Sequence, residues 1–221
     1  MMRRGLGLVV MLLLIPGRAS AANITLTFDE AALKNDNNDP ILNFYNGGKT
    51  YLGIGPGPNY GVSFVDDNAR VFTQTSRLIG TFTKPGIMQL YSDTAREGQG
   101  ISTTMNVSGG FAGTIAFDYA AIDSAGMIQI YSGLNGKGTL LSTVKLPVTS
   151  PVDGPGTFVS DSATFSGVAH SAVFSGGNKQ LGIDDFQFSS VPEPSSGLML
   201  LSGVLLCSVA AHSRWRWSRG L

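Results

Sequence analysis

Residues 23–190 predict an all-β fold, a sandwich of two antiparallel sheets, and three observations lead there. Glycine fills 23 of these 168 positions, and Thr, Ser, Val and Phe are frequent. No stretch sustains a 3.6-residue apolar period, whereas several alternate with period two. Clusters of turn residues separate those stretches at short spacing, which predicts roughly ten or more short strands. A closed barrel is the other arrangement that satisfies the pattern. The segment is long enough for one ordinary core without covalent staples.

The elements follow in order. Ile24, Leu26 and Phe28 alternate with Thr25, Thr27 and Asp29. Glu30–Leu33 and Asp93–Glu97 each have room for one or two helical turns. Turn residues fill Asn35 to Pro40, Gly55-Pro56-Gly57-Pro58-Asn59 and Asp66-Asp67-Asn68. Ile101, Thr103, Met105 and Val107 share a face, and Gly109-Gly110 reads as the turn after them. Ile115, Phe117 and Tyr119 share another face, as do Ile128 and Ile130 before the Asn135-Gly136 turn. Val173, the turn Gly176-Gly177-Asn178, then Phe186 and Phe188 complete the pattern. No internal repeat points to a solenoid or propeller.

Charge and composition exclude several functions. The whole chain is formally neutral, but Arg3, Arg4, Arg18, Arg214, Arg216 and Arg219 all lie near its ends. Residues 23–190 hold 9 Lys+Arg against 14 Asp+Glu, a net −5, which argues against a nucleic-acid partner. Cys207 is the sole cysteine and lies in the C-terminal segment, so the middle has no disulfide, zinc-thiolate site or Cys nucleophile. A single His170 rules out a multi-histidine metal site there. No nucleophile elbow, metalloprotease helix or phosphate-binding loop is present. His170, Ser171, Ser166 and Asp161 include the residue types of a triad, but they read as ordinary strand or turn residues.

The two ends carry addresses. Met1-Met2-Arg3-Arg4 is a basic start, Leu6 to Ile15 an apolar run, and Ala19-Ser20-Ala21 a small-residue cleavage site. Together they read as a signal peptide over residues 1–22. At the other end stand Pro192-Glu193-Pro194, a mostly apolar run from Gly197 to Ala211, and Arg214, Arg216 and Arg219 with Trp215 and Trp217 between them. A 15-residue helix spans about 22 Å against a hydrocarbon core of roughly 30 Å, which makes a short transmembrane helix. The arginines place its tail on the cytoplasmic side and the middle outside.

Residues 191–221 closely resemble the PEP-CTERM sorting signal of Gram-negative bacteria. The resemblance rests on the Pro-Glu-Pro triplet, the short apolar span and the terminal arginines, in that order. It implies recognition by an exosortase, a membrane cysteine protease, and a precursor held transiently in the inner membrane. The product would then be at the cell surface or extracellular. Two prolines keep the triplet extended, the form a protease can hold.

Four phrases of the middle resemble the jelly-roll domains common in front of that signal. They are Ile24 to Glu30, Ile130 to Leu141, Phe174 to Gly176, and Gly182-Ile183-Asp184-Asp185-Phe186-Gln187-Phe188. The resemblance implies a jelly-roll-like antiparallel β-sandwich similar to galactose-binding-type and carbohydrate-module domains, flanked by the signal-peptide helix and the transmembrane helix. In jelly rolls the first and last strands adjoin, which would bring Asp29 and Glu30 beside Asp184 and Asp185. Four such carboxylates repel unless a cation intervenes, and Ca²⁺ takes oxygen ligands without needing His or Cys. Asp184 is in phase with Phe186 and Phe188, and an inward carboxylate needs a partner. The resemblance likewise implies a structural Ca²⁺ at these acids. The plain alternative leaves Asp29 and Asp185 in solvent and Asp184 capping a turn. Asn35-Asp36-Asn37-Asn38-Asp39 lacks the Gly and Glu of an EF-hand loop and reads as a turn. Tyr45, Tyr51, Tyr60 and Tyr91 read either as a sugar platform or, preferably, as strand tyrosines with hydroxyls at the rim.

The resulting expectation is a non-enzymatic, exported surface or extracellular-matrix protein associated with exopolysaccharide or biofilm. The second expectation is a carbohydrate-binding module for exopolysaccharide. A secreted hydrolase comes third and would need a buried acid pair or a Ser–His contact in a cleft.

Overall fold

The computed structural model describes residues 21–32, 38–73, 86–149 and 157–191, and residues 21–191 form one compact unit. Its elements are β1 (Asn23–Leu26), α1 (Asp29–Ala32), β2 (Asp39–Pro40), β3 (Val62–Phe64), β4 (Ala69–Phe72) and β5 (Ile87–Leu90), then β6 (Gly100–Ala121), β7 (Gly126–Tyr131), β8 (Leu140–Leu146), β9 (Val159–Gly177) and β10 (Leu181–Ser190). All strand pairs among the described residues are antiparallel. The all-β expectation therefore holds.

Two layers share the long strands. One runs β2-β4-β5-β10 and continues into the second half of β6 and the first half of β9, with β1 on the far half of β10. The other runs β3, first half of β6, second half of β9, β7, β8. The β6–β9 ladder runs from Gly100↔Gly177 to Asn106↔Ser171, shifts, and resumes from Phe111↔Ala169 to Tyr119↔Val159. Gly110 (φ 78°) sits at that shift, and Gly167 (φ 93°) at a second one between Ala112↔Val168 and Gly113↔Phe165; glycine's freedom at positive φ lets the strands turn a corner there. Gly109-Gly110 is therefore a bend inside one 22-residue strand, not the turn the sequence suggested. The expected row of short strands becomes a few short ones hung on two long ones.

The core lies between the layers. Phe174 of β9 meets Phe186 of β10 with ring centroids 5.4 Å apart, although the two strands are not paired at these positions. Phe117 stacks on Phe186 at 5.9 Å, and Phe111 meets Phe188 at 5.4 Å. Leu26, Met105, Ile115, Ile128 and Ile183 fill the spaces between them. Each such side chain stabilises the fold by about 1.5–3 kcal/mol through burial. The predicted inward faces are buried as the alternation required, with three exceptions: Ile101 is half-buried, Phe174 rather than Val173 points inward, and the shift at Asp185 (φ 45°) puts Asp184 out of phase with Phe186 and Phe188. One helical turn forms at Asp29–Ala32, whereas 93–97 is loop. The signal-peptide reading of residues 1–20 and the sorting signal beyond Val191 lie outside the described residues. No helix among the described residues is long and apolar enough to cross a membrane.

Candidate functional site

Alternation turns one face of the β6–β9–β7 half-sheet away from the core. Cross-strand pairing sets its residues in rows. Ser102, Ser175 and Met127 form one row, and Thr104, Val173 and Gln129 form the next. The β7–β8 connection folds over the far end. Asn135 Oδ1 accepts from Asn106 Nδ2 at 2.7 Å, and the Asn135 N–H donates to Asn106 Oδ1 at 2.8 Å. The Ser171 hydroxyl donates to Gly133 O at 2.6 Å and accepts from the Gly136 N–H at 3.0 Å. Asn135 and Gly136 both take positive φ, as a two-residue hairpin turn requires.

At the near end lies an open groove of about 510 Å³. Its lining is Gly98, Gly100, Ile101 and Ser102 on one side, Ser124, Ala125, Gly126 and Met127 on the other, and Ser175, Gly176 and Gly177 between them. No charged or aromatic side chain lines it. Small residues expose strand backbone and three serines there, so it offers hydrogen-bond donors and acceptors over a shallow floor. It has neither an acid–base pair nor a nucleophile–base pair, the minimum a hydrolase needs. The sequence reading missed this site, although its signal was present: three clusters of small residues at the ends of neighbouring strands.

The predicted acids are only partly brought together. One edge of β10 pairs with β5 up to Ile183↔Met88 and with β1 from Phe186↔Leu26, which leaves Asp184 and Asp185 at the gap. Asp29 enters that gap, and its Oδ1 accepts from the Gly86 N–H at 2.9 Å. Asp118 is the cross-strand partner of Asp184 on β6. Asp184 is buried, with Oδ1 accepting from the Asp185 N–H at 2.8 Å. Burial first, then the charges of Asp185, Asp29 and Asp118, push its carboxyl up to about 7. Glu30 is not among the charges acting on Asp184. It accepts from Thr27 Oγ1 at 3.2 Å, and its charge adds to burial in raising the Tyr45 phenol. Among the described residues, no three acids, histidines or cysteines form a group that could hold a metal ion.

The tyrosines divide. Tyr45 is neither platform nor rim: it is buried, and its hydroxyl accepts from the Phe28 N–H at 2.9 Å. Tyr60 stacks on it at 6.2 Å and is partly exposed. Tyr91 lies between the Arg70 guanidinium at 5.0 Å and the Lys179 ammonium at 4.8 Å. Only Tyr51, 71% exposed on the 50–54 turn, is an open ring. His170 is a β9 strand residue, and the Ser171 hydroxyl beside it is taken up by the β7–β8 connection.

Comparison with known proteins gives likenesses of fold. No protein-family model and no curated relative matches the chain. Among solved structures it is similar to CsCBM6-3 from Clostridium stercorarium in complex with cellobiose, at 24% identity and TM-score 0.36, covering 58% of this chain and 87% of that one. It is similar to CBM29_1, a family 29 carbohydrate-binding module from Piromyces equi, at 8% identity and TM-score 0.39, covering 78% and 92%. It is also similar to the K2 cleaved adhesin domain of Lys-gingipain, at 12% identity and TM-score 0.43, covering 76% and 97%. All three TM-scores lie below 0.5, and the ligands and names belong to those proteins.

Proposed function

We propose that residues 23–190 form a non-catalytic carbohydrate-binding module whose ligand is a neutral, hydroxyl-rich polymer such as an exopolysaccharide chain. The observation that carries this reading is the groove over β6, β9 and β7. It is open at the surface, lined by serine hydroxyls and strand backbone, and free of titratable side chains. Hydroxyl-rich ligands exchange hydrogen bonds with such a surface without requiring charge. Affinity electrophoresis of the full-length chain through gels holding hydroxyethylcellulose, xylan or dextran tests the reading. Retardation by at least one gel is expected. Unretarded migration in all three, at wild-type stability, contradicts it.

The ordered signals at the two ends support export. The protein would be delivered as an inner-membrane precursor, processed by an exosortase near Pro192-Glu193-Pro194 and left at the surface or in the matrix. Intact-mass analysis of surface material from the native host should then show no Trp215 or Trp217. A complete tail in that material would leave a simple membrane anchor. A structural Ca²⁺ at Asp29, Glu30, Asp184 and Asp185 is part of the same proposal. Crowding of like charge around Asp184 supports it, while binding would require these carboxylates to draw together, since no three of them converge.

A further inference from the structure

Each wall of the groove joins the start of a strand to the connection before it: Gly98 of loop 91–99 leads into Gly100–Ser102 of β6, and Ser124 and Ala125 of turn 122–125 lead into Gly126 and Met127 of β7. Both connections are tied to one short turn, Gly177 to Gln180, between β9 and β10. Asn178 is fully buried, and its side chain is spent on the first wall. Its Oδ1 accepts from the Ser92 N–H at 2.8 Å. Its Nδ2 donates to Ala95 O at 2.8 Å and lies 3.1 Å and 3.3 Å from Ser92 O and Arg96 O. Its backbone adds two bonds to the same loop, from the Gly98 N–H to Asn178 O at 3.0 Å and from the Asn178 N–H to Gln99 O at 2.8 Å.

Gln180, also buried, reaches the second wall. Its Oε1 accepts from the Ser124 hydroxyl at 2.8 Å, and its Nε2 lies 3.5 Å from Asp123 Oδ2. The same amide lies against the first wall, since a Cβ added at Gly98 would stand 3.2 Å from Gln180 Nε2. A Cβ at Gly177 would run into both Gln180 and Ser124 Oγ. The three groups that bound this end of the groove therefore meet on one side-chain amide. A buried polar group whose donors and acceptors are all engaged holds its partners in one arrangement.

We infer that the β9–β10 turn sets the width of the groove, with Asn178 positioning loop 91–99 and Gln180 positioning turn 122–125. The inference rests on the groove being the binding site proposed above. Neither residue lines the groove, so each acts through the walls and is a positioning residue.

Amide hydrogen exchange and affinity electrophoresis on full-length wild type, Asn178→Ala and Gln180→Met test it, with Val144→Ala, a core change on β8, as the control for lost stability. Gln180→Met keeps the side-chain length and removes only the amide, so it decides the matter should Asn178→Ala fail to fold. The Gln99 N–H bonds Arg96 O and the Ser124 N–H bonds Ile122 O, so neither touches a deleted side chain. Exchange at Gln99 should rise tenfold or more in Asn178→Ala, and at Ser124 likewise in Gln180→Met. In Val144→Ala, exchange at Gln99 and Ser124 should rise no more than it does across the rest of the domain. Retardation by the polysaccharide gel that slows the wild type should weaken about tenfold in both turn variants and persist in Val144→Ala. Wild-type exchange at both walls, or unchanged retardation, overturns the inference while leaving the binding function intact. If no gel retards the wild type, the proposed function fails, and the exchange rates still decide the positioning claim.

Discussion

Strand β10 begins beside one buried polar centre and passes through another, and the two are built from opposite chemistry. Beside its first residue, Asn178 and Gln180 use neutral amides that find partners for both oxygen and nitrogen. Three residues into the strand, Asp184 puts a carboxyl into the gap between β5 and β1, facing Asp29, Asp118 and Asp185. A carboxylate only accepts, so each further acid nearby adds repulsion without adding a donor. Asp39 is a milder instance: Oδ1 accepts from the Leu52 N–H at 2.9 Å, while Oδ2 is buried without a hydrogen-bond partner among the described residues. The difference teaches that buried amides can hold a site rigid at any pH, whereas buried acids make the fold answer to protons and cations.

The largest effect should come from the amide centre. Asn178→Ala leaves several backbone groups of loop 91–99 without their partner. It should cost about 2–3 kcal/mol, or roughly 4–12 °C for a domain of this size. Urea denaturation at pH 5 and pH 8 should show the same loss at both. A loss confined to one pH would break the comparison.

Asp184 should behave in the opposite way. Its folded-state value of about 7 lies above the usual carboxylate range, so the folded chain holds a proton that the unfolded chain has released. Stability is then greatest at low pH, falls as pH rises from about 4 to about 7, and levels off above that. Asp184→Asn keeps an oxygen for the Asp185 N–H and removes the charge. It should stabilise the domain by on the order of 2 kcal/mol at pH 8 and leave it unchanged at pH 4. Equal effects at both pH values would show that the carboxyl titrates normally.

Calcium sharpens the same contrast. If a cation joins Asp184 and Asp29, free Ca²⁺ at ten times its Kd should add about 1.4 kcal/mol at pH 8, and EDTA should remove that gain. Asp184→Asn should abolish it and Asn178→Ala should not. Indifference of the melting temperature to EDTA would leave repulsion as the whole effect of the acid cluster. The smallest change is expected at Tyr51, whose exposed ring supports no core contact. Tyr51→Ser should stay within about 0.5 kcal/mol of wild type by the same denaturation assay.

The meeting of Asp29 with Asp184 was legible because the first and last strands adjoin, but the phase of Asp184 was not: the β10–β6 register shifts after Asp184, where Asp185 takes φ 45°, so Ile183 faces the core and Asp184 lies on the side of Asp118. Asp118 escaped notice because alternation set it between inward Phe117 and Tyr119 as an ordinary outward residue. Only the register of β6 against β10 shows that it stands across from Asp184. The corner at Gly109-Gly110 was misread for a physical reason: a glycine pair supplies the same positive φ to a turn and to a bend within a strand. Asn178 was read as a turn residue, which it is. Nothing local announces that its amide reaches a loop more than eighty residues earlier in the chain. Small-residue clusters at three strand ends were visible, but only pairing in three dimensions makes them one surface.

The central claim is that a neutral saccharide lies across the β6–β9–β7 groove. Backbone amide chemical shifts of residues 21–191, recorded while titrating in oligosaccharides cut from the polysaccharide that retards the chain, test it most directly. The account predicts saturable shifts concentrated at Gly98, Gly100, Ser102, Ser124, Gly126, Ser175 and Gly177, with little change at Tyr51 and Leu52. Shifts concentrated on the 50–54 turn, or none at saturating saccharide, would contradict it.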